Sequence, residues 1–233
     1  MVGVNEVLLI HSPLLGPSSW EPITTEASRR GYSTLIPDLT AVQHASSPFW
    51  KVFVELALAH VPPDAHRIIV IGHSGAGVFL PLIGQQLGQR LGAIVFVDAL
   101  IPAIRGTHIT PAEDREMLAK GADDDGWLLP WTEWWPRELM ADLVPDEDDW
   151  SLISQDVPRL PLTFYDDPIP MPEDWTTMPC CYLRLSQPYD EHLDTARSLG
   201  WQSRSLDSNH LATFTEPSLM LDAIERLLAG MES

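Results

Sequence analysis

Ile68-Ile69-Val70-Ile71-Gly72-His73-Ser74-Gly75-Ala76-Gly77 is the stretch on which the reading of this chain turns. Four β-branched residues in a row make a short apolar strand. A serine with small neighbours follows at once, and Val78-Phe79-Leu80 onward reads as a helix. A serine on so sharp a strand-to-helix turn is held in strained backbone geometry with its hydroxyl exposed. Bulky neighbours would collide with the strand and the helix. The pattern is the nucleophile elbow G-x-S-x-G, with Ala76 in the closing position as the smallest step away from glycine. The alternative is a glycine-rich turn carrying an ordinary surface serine.

Outward from this stretch the chain alternates strands and helices. Strands are expected at Val4–Ile10, Tyr32–Ile36, 67–71, Ala93–Val97, Cys180–Leu185 and Trp201–Leu206. Helices are expected near Ser18–Arg30, Pro48–His60, from the elbow to Leu91, Asp190–Leu199 and Pro217–Leu228. Such alternation implies a mostly parallel sheet flanked by helices, an α/β fold. The working site of such a sheet lies at the carboxyl ends of its strands. The loops holding His11-Ser12-Pro13, Ser74, Asp98, Asp190 and His210 all leave those ends.

Between residues 100 and 178 the pattern changes. This stretch holds 18 of the 33 acidic residues, six of the nine tryptophans and ten of the 21 prolines, with little strand-like alternation. It reads as a helical, Trp-rich lid inserted into one domain whose core is 1–99 and 179–233. The acidic runs Asp123-Asp124-Asp125 and Asp146-Glu147-Asp148-Asp149 read as solvated surface.

With 233 residues the chain is long enough for one large core. Its net charge of −19 repels phosphate backbones and anionic lipid, so neither nucleic acid nor a membrane is an expected partner. There is no 18-residue apolar run and no leader-like N-terminus. Cys180 and Cys181, the only cysteines, read as buried strand residues in a protein of the reducing cytoplasm. A homodimer is compatible with the chain, and the oligomeric state stays open. No histidine–carboxylate spacing of the metal-binding kind occurs, so neither a metal nor another cofactor is expected.

These residues resemble the α/β-hydrolase superfamily. The resemblance rests on His11-Ser12-Pro13, Pro37-Asp38, Gly72-His73-Ser74-Gly75-Ala76, Asp190 and Asn209-His210, in the order Ser…Asp…His. Within it, Phe96-Val97-Asp98-Ala99-Leu100-Ile101-Pro102 and the inserted lid look like the small esterase and hydroxynitrile-lyase-like branch. The resemblance implies Ser74 as nucleophile and His210, on the loop after the last strand, as its base. It implies Asp190, after the penultimate strand, as the acid that orients His210. Asp98 is the alternative acid, at a place some members use.

An oxyanion hole needs two preorganised donors. Gly75 N–H supplies one as the residue after the nucleophile. The second normally comes from the loop after the first strand, but here Pro13 has no N–H to give. Leu14 N–H or the Ser12 hydroxyl is expected to substitute. His11, Pro13 and His73 are expected around the substrate, and Trp127, Trp131, Trp134 and Trp135 as an apolar wall.

The expectation is therefore a serine hydrolase. It would cleave a carboxylic ester, thioester or lactone of an apolar or aromatic small molecule through an acyl-enzyme. The rival readings are a lyase, cyclase or isomerase on the same triad, a peptidase or amidase, and a non-catalytic small-molecule binding protein.

Overall fold

In the computed structural model, which describes residues 6–231, a six-stranded parallel sheet runs through the molecule. The chain begins with β1 (Val7–Ile10), α1 (Glu21–Arg29), β2 (Thr34–Leu35), α2 (Phe49–Leu58) and β3 (Ile68–Ser74). It continues with α3 (Leu80–Leu87) and β4 (Leu91–Ala99). Residues 100–178 follow, with β5 (Thr107–His108), α4 (Ala112–Ala119), α5 (Arg137–Met140), α6 (Glu147–Ser154) and β6 (Ile169–Pro170). The chain then rejoins the sheet with β7 (Cys180–Arg184), α7 (Asp190–Ser198), β8 (Gln202–Ser205), α8 (Ala212–Thr215) and α9 (Pro217–Met231).

The sheet order is β2-β1-β3-β4-β7-β8. The chain leaves β1 toward one edge and returns to its other side with β3. The strand order therefore reverses between β1 and β3, and the crevice at their carboxyl ends is the natural ligand site of such a sheet.

Period-two alternation builds two cores from the same strands. Leu8, Ile10, Ile68, Val70, Ile94 and Phe96 face one side, with Phe53 of α2, Ile83 of α3 and Leu193 of α7. Leu9, Ile69, Ile71, Val95 and Val97 face the other, with Ile23 of α1 and Leu221 and Ile224 of α9. Because the inner strands are covered on both faces, their sequences are continuous apolar runs rather than alternating ones.

The observed elements differ from expectation mainly at the sheet edges. The second strand is only Thr34–Leu35, and Val4 and Asn5 of the first lie outside the described residues. Trp201 is not part of the last strand. It packs in the core against Phe96, with ring centroids 5.3 Å apart. After the elbow the chain makes a 3₁₀ turn over Gly75–Phe79 before α3 starts.

Residues 100–178 contain short helices, three 3₁₀ turns and the antiparallel pair β5–β6, in which His108 faces Ile169. Leu128, Leu160, Phe164 and Trp175 of this stretch belong to the same apolar cluster as β3 and β4. The acidic runs are not merely solvated. Asp146 caps α6 by accepting from the Asp148 and Asp149 N–H groups, and Asp123 accepts from the Asp125 and Trp127 N–H groups. Among the described residues no helix is long and apolar enough to cross a membrane.

The steric demand at the elbow extends one residue past the motif. A Cβ on Gly72 would lie 2.6 Å from a Leu80 methyl, which can move. A Cβ on Gly77 would lie 2.0 Å from the Leu100 carbonyl oxygen, and backbone there cannot yield. Gly77→Ala is therefore expected to lower the unfolding free energy by about 2 kcal/mol, and Ala76→Gly by less, as read from denaturant midpoints at unchanged slope.

Candidate active site

Ser74 sits at φ 58° and ψ −130°, a backbone conformation that non-glycine residues rarely adopt. Such a conformation costs roughly 1–3 kcal/mol and persists only when the surroundings enforce it. Here β3 enters and the 3₁₀ turn leaves, while Leu100 N–H donates to the Ser74 carbonyl at 3.0 Å.

That same contact marks an irregularity in β4. His73 pairs with Val97, but Ser74 pairs with Ala99, so Asp98 is an extra residue opposite Ser74. Its φ is +42°, which Asp tolerates better than most side chains. A bulge re-aims a side chain. Asp98 is thereby turned along the strand end, where it is fully buried. Its carboxylate accepts from Leu185 N–H at 2.7 Å, Ser186 N–H at 3.0 Å, the Ser186 hydroxyl, and His210 Nδ1 at 2.7 Å. Burial pushes this carboxyl's pKa up, but these hydrogen bonds outweigh burial and hold it below the usual carboxylate range.

The sequence expectation for the acid is corrected here. Asp190 does not reach His210. It opens α7, its side chain is 49% exposed, and it pairs with Arg184 at 2.6 Å. The alternative, Asp98, holds His210. Because Nδ1 donates to Asp98, Nε2 is left as the acceptor of the ring.

His210 is held against two other rings. His73 lies tilted against it, with ring centroids 4.4 Å apart, and donates from Nε2 to the His210 carbonyl at 2.8 Å. Tyr189 stacks on His210 at 4.9 Å, with ring planes 8° apart. Among the described residues, Ser74 Oγ is hydrogen-bonded to the Tyr189 hydroxyl at 3.2 Å rather than to His210.

The loop after β1 borders the elbow. A Cβ on Gly75 would lie 3.3 Å from Pro13 Cδ and 3.9 Å from Ser12 Oγ. Leu14 N–H points at Ser12 Oγ, 3.3 Å away, so it is not free as an oxyanion donor. The Ser12 hydroxyl, having accepted that bond, keeps its own proton to donate. The loop is clamped by Asp156, which takes Ser18 N–H at 2.9 Å and the Ser18 hydroxyl at 2.6 Å. Gly16 is required beside it, since a Cβ there would lie 2.2 Å from the Asp156 carboxyl.

Two expected substrate residues are structural instead. His11 is buried and spends both nitrogens on backbone, donating to Ser12 O at 2.9 Å and accepting from Leu39 N–H at 3.1 Å. His73 is buried under His210. Burial lowers the pKa of both, and for His73 burial and then the neighbouring His210 bring it down to about 3.

The expected tryptophan wall is divided. Trp134 packs over Gly121 and donates to Leu129 O at 2.8 Å, so it holds the insertion together. Trp127 and Trp135 are exposed. Only Trp131 of the four joins the apolar cluster of Leu15 and Leu211, the neighbours of the loop after β1 and of His210. Among the described residues no group of three or more His, Cys, Asp or Glu is placed to hold a metal ion.

Asp156, Ser186 and Tyr189 escaped the sequence reading. The first two are generic polar residues with no motif. Tyr189 stands beside Asp190 in the loop already singled out, so its position was available but its direction was not.

Two outcomes follow from this geometry. The downfield proton resonance of a His Nδ1–H held by a carboxylate should be present in the wild type and in Asp190→Asn, and absent in Asp98→Asn. For His73, the folded value near 3 lies below the unfolded 6.5. The unfolded state thus binds more protons between these values, so stability falls as pH drops from about 6.5 toward about 3. His73→Gln should show a shallower fall over that window in denaturant titrations.

Residues 7–223 match the family model described as the alpha/beta hydrolase family. Methylesterase 2 of Arabidopsis thaliana is 25% identical over 93 residues, 40% of this chain and 32% of that relative. Methylesterase 3 of the same plant is 21% identical over 138 residues, 53% of this chain and 49% of its own length. The chain thus matches half or less of the length of these relatives. A solved structure with a similar fold is an extracellular alpha/beta-hydrolase from a Paenibacillus species, described as sharing structural and functional homology with tobacco salicylic acid binding protein 2. Its TM-score is 0.73 at 19% identity, over 95% of this chain and 98% of that one. With the nucleophile elbow on β3, the six-stranded parallel sheet and a family match over nearly its whole length, this chain belongs to the alpha/beta hydrolase family.

Proposed function

We propose that the chain is a carboxylic ester hydrolase acting on esters of apolar or aromatic small molecules. The observation that carries this reading is the hydrogen bond from His210 to the buried Asp98 carboxylate, in the same site as a serine in strained elbow geometry. Thioesters and lactones present the same carbonyl chemistry to the site. The names of the methylesterases it resembles agree with an ester of a small alcohol.

The steps follow from the groups present. His210 Nε2 takes the Ser74 proton as Oγ attacks the carbonyl carbon. Asp98 keeps Nδ1 protonated and stabilises the imidazolium. Gly75 N–H and the Ser12 hydroxyl receive the developing oxyanion. His210 returns the proton to the leaving oxygen, then activates water to release the acid and regenerate Ser74. The scheme uses no cofactor. Trp131, with Leu15 and Leu211, supplies apolar surface for the acyl part. The free, buried thiols of Cys180 and Cys181 suit a reducing compartment.

One observation favours a second reading. Pro13 removes the usual loop N–H and Leu14 N–H is committed to Ser12. A lyase or cyclase would use His210 as base without needing a strong oxyanion hole.

Turnover of p-nitrophenyl esters of increasing acyl length tests the first reading. Ser74→Ala should abolish turnover and labelling by a fluorophosphonate. Ser12→Ala should lower kcat about a hundredfold with KM nearly unchanged. Asp98→Asn should cost about 10⁴-fold, Asp190→Asn less than about threefold. Wild type that is labelled at Ser74 but hydrolyses no ester would give way to the lyase reading.

A further inference from the structure

We propose that the Tyr189 hydroxyl is a third hydrogen-bond donor of the reaction centre, serving the leaving-group oxygen. The inference rests on the ester-hydrolase reading of the same site. Tyr189 closes the turn Gln187–Tyr189 that follows β7, and no other residue of that turn touches the reacting groups in the hydrogen-bond and ring contacts of the described residues. Its hydroxyl is 3.2 Å from Ser74 Oγ and its ring lies parallel on His210. One side chain therefore contacts both nucleophile and base.

Its placement is enforced through Asp98. Ser186 gives its N–H and hydroxyl to that carboxylate, and Tyr189 N–H donates to the Ser186 carbonyl at 3.1 Å. On its outer side the ring meets His192 at 5.9 Å, and His192 Nδ1 accepts from Ile101 N–H at 3.2 Å. The turn, the base and the acid form one bonded unit, so the phenol is preorganised rather than swung in.

The strand order assigns its side of the reaction. Gly75 and Ser12 flank Ser74 from the β1 side, whereas Tyr189 comes from β7, beyond β4. The oxyanion belongs to the first side. The leaving oxygen must lie near His210 to receive its proton, and Tyr189 covers His210. Burial pushes the phenol's pKa up to about 12, so it stays a donor at neutral pH.

Either hydroxyl can donate in the 3.2 Å Ser74–Tyr189 contact; the scheme uses the arrangement in which the phenol donates to Ser74 Oγ, which leaves the Ser74 proton for His210. On attack the Oγ–carbon bond forms and the carbon–oxygen bond to the alcohol breaks. The Ser74 proton travels to His210 Nε2 and then to the departing oxygen. Tyr189 shifts its hydrogen bond from Oγ to that oxygen and keeps its proton throughout.

The test compares two esters of one acid, methyl benzoate and p-nitrophenyl benzoate, on wild type and Tyr189→Phe, which keeps the stacked ring. Nitrophenolate leaves without help, whereas methoxide needs it. The expected result is a kcat loss for the methyl ester about tenfold or more greater than for the nitrophenyl ester. This ratio is independent of how much variant is folded. Tyr189→His, which restores a ring donor, should recover part of the difference and serves equally where Tyr189→Phe fails to fold, by showing a smaller methyl-ester deficit than Tyr189→Leu. Equal losses on both esters, or none on either, with Ser74-dependent wild-type turnover would overturn this inference alone. Wild type inactive on both esters would overturn the hydrolase reading and this inference with it.

Discussion

The buried carboxylate of Asp98 is the constraint on which the site depends. A charge with no exposure to water is costly unless every oxygen is bonded. Asp98 meets that demand by drawing in the Leu185 and Ser186 amides, the Ser186 hydroxyl and His210. Those partners belong to the end of β7 and to the loop after β8. One side chain thus ties three strand ends together, and losing it would strand buried N–H groups as well as release the imidazole.

Around this anchor, neighbouring contacts are shared between fold and chemistry. The irregular pairing that turns Asp98 also places Ala99 opposite Ser74 and brings Leu100 N–H to the Ser74 carbonyl. The strain at Ser74 is therefore balanced by the strand that carries Asp98. His73 and Tyr189 both pack against His210, with His73 neutral and bonded to the His210 backbone. The insertion contributes as well, since Asp156 clamps the loop that carries Ser12.

Much of the fold was legible because it follows from local chemistry. Short, continuous apolar runs rich in β-branched residues at Ile68–Ile71 and Ile94–Val97 read as strands buried on both faces of the sheet. The edge strands were harder. Gln202, Arg204 and Ser205 are exposed, so β8 carries almost no apolar signal. The tryptophans of the insertion were counted correctly but their partners were not foreseeable, as Trp175 lies in the main core and Trp135 faces solvent.

The sequence by itself determined the strand-to-helix turn at Ser74 and the place of His210 after the last strand. Small residues at Gly72, Gly75 and Gly77 and the order of elements are sufficient for both. Only the tertiary structure decided which carboxylate serves His210. Asp98 and Asp190 both stand near strand ends, and chain position cannot tell them apart. The choice was made by a pairing shift between β3 and β4, which turns Asp98 inward, while Arg184 and the start of α7 hold Asp190 outward. Side-chain direction at a strand end is set by register with a neighbouring strand, and register is a property of contacts between segments distant in the chain.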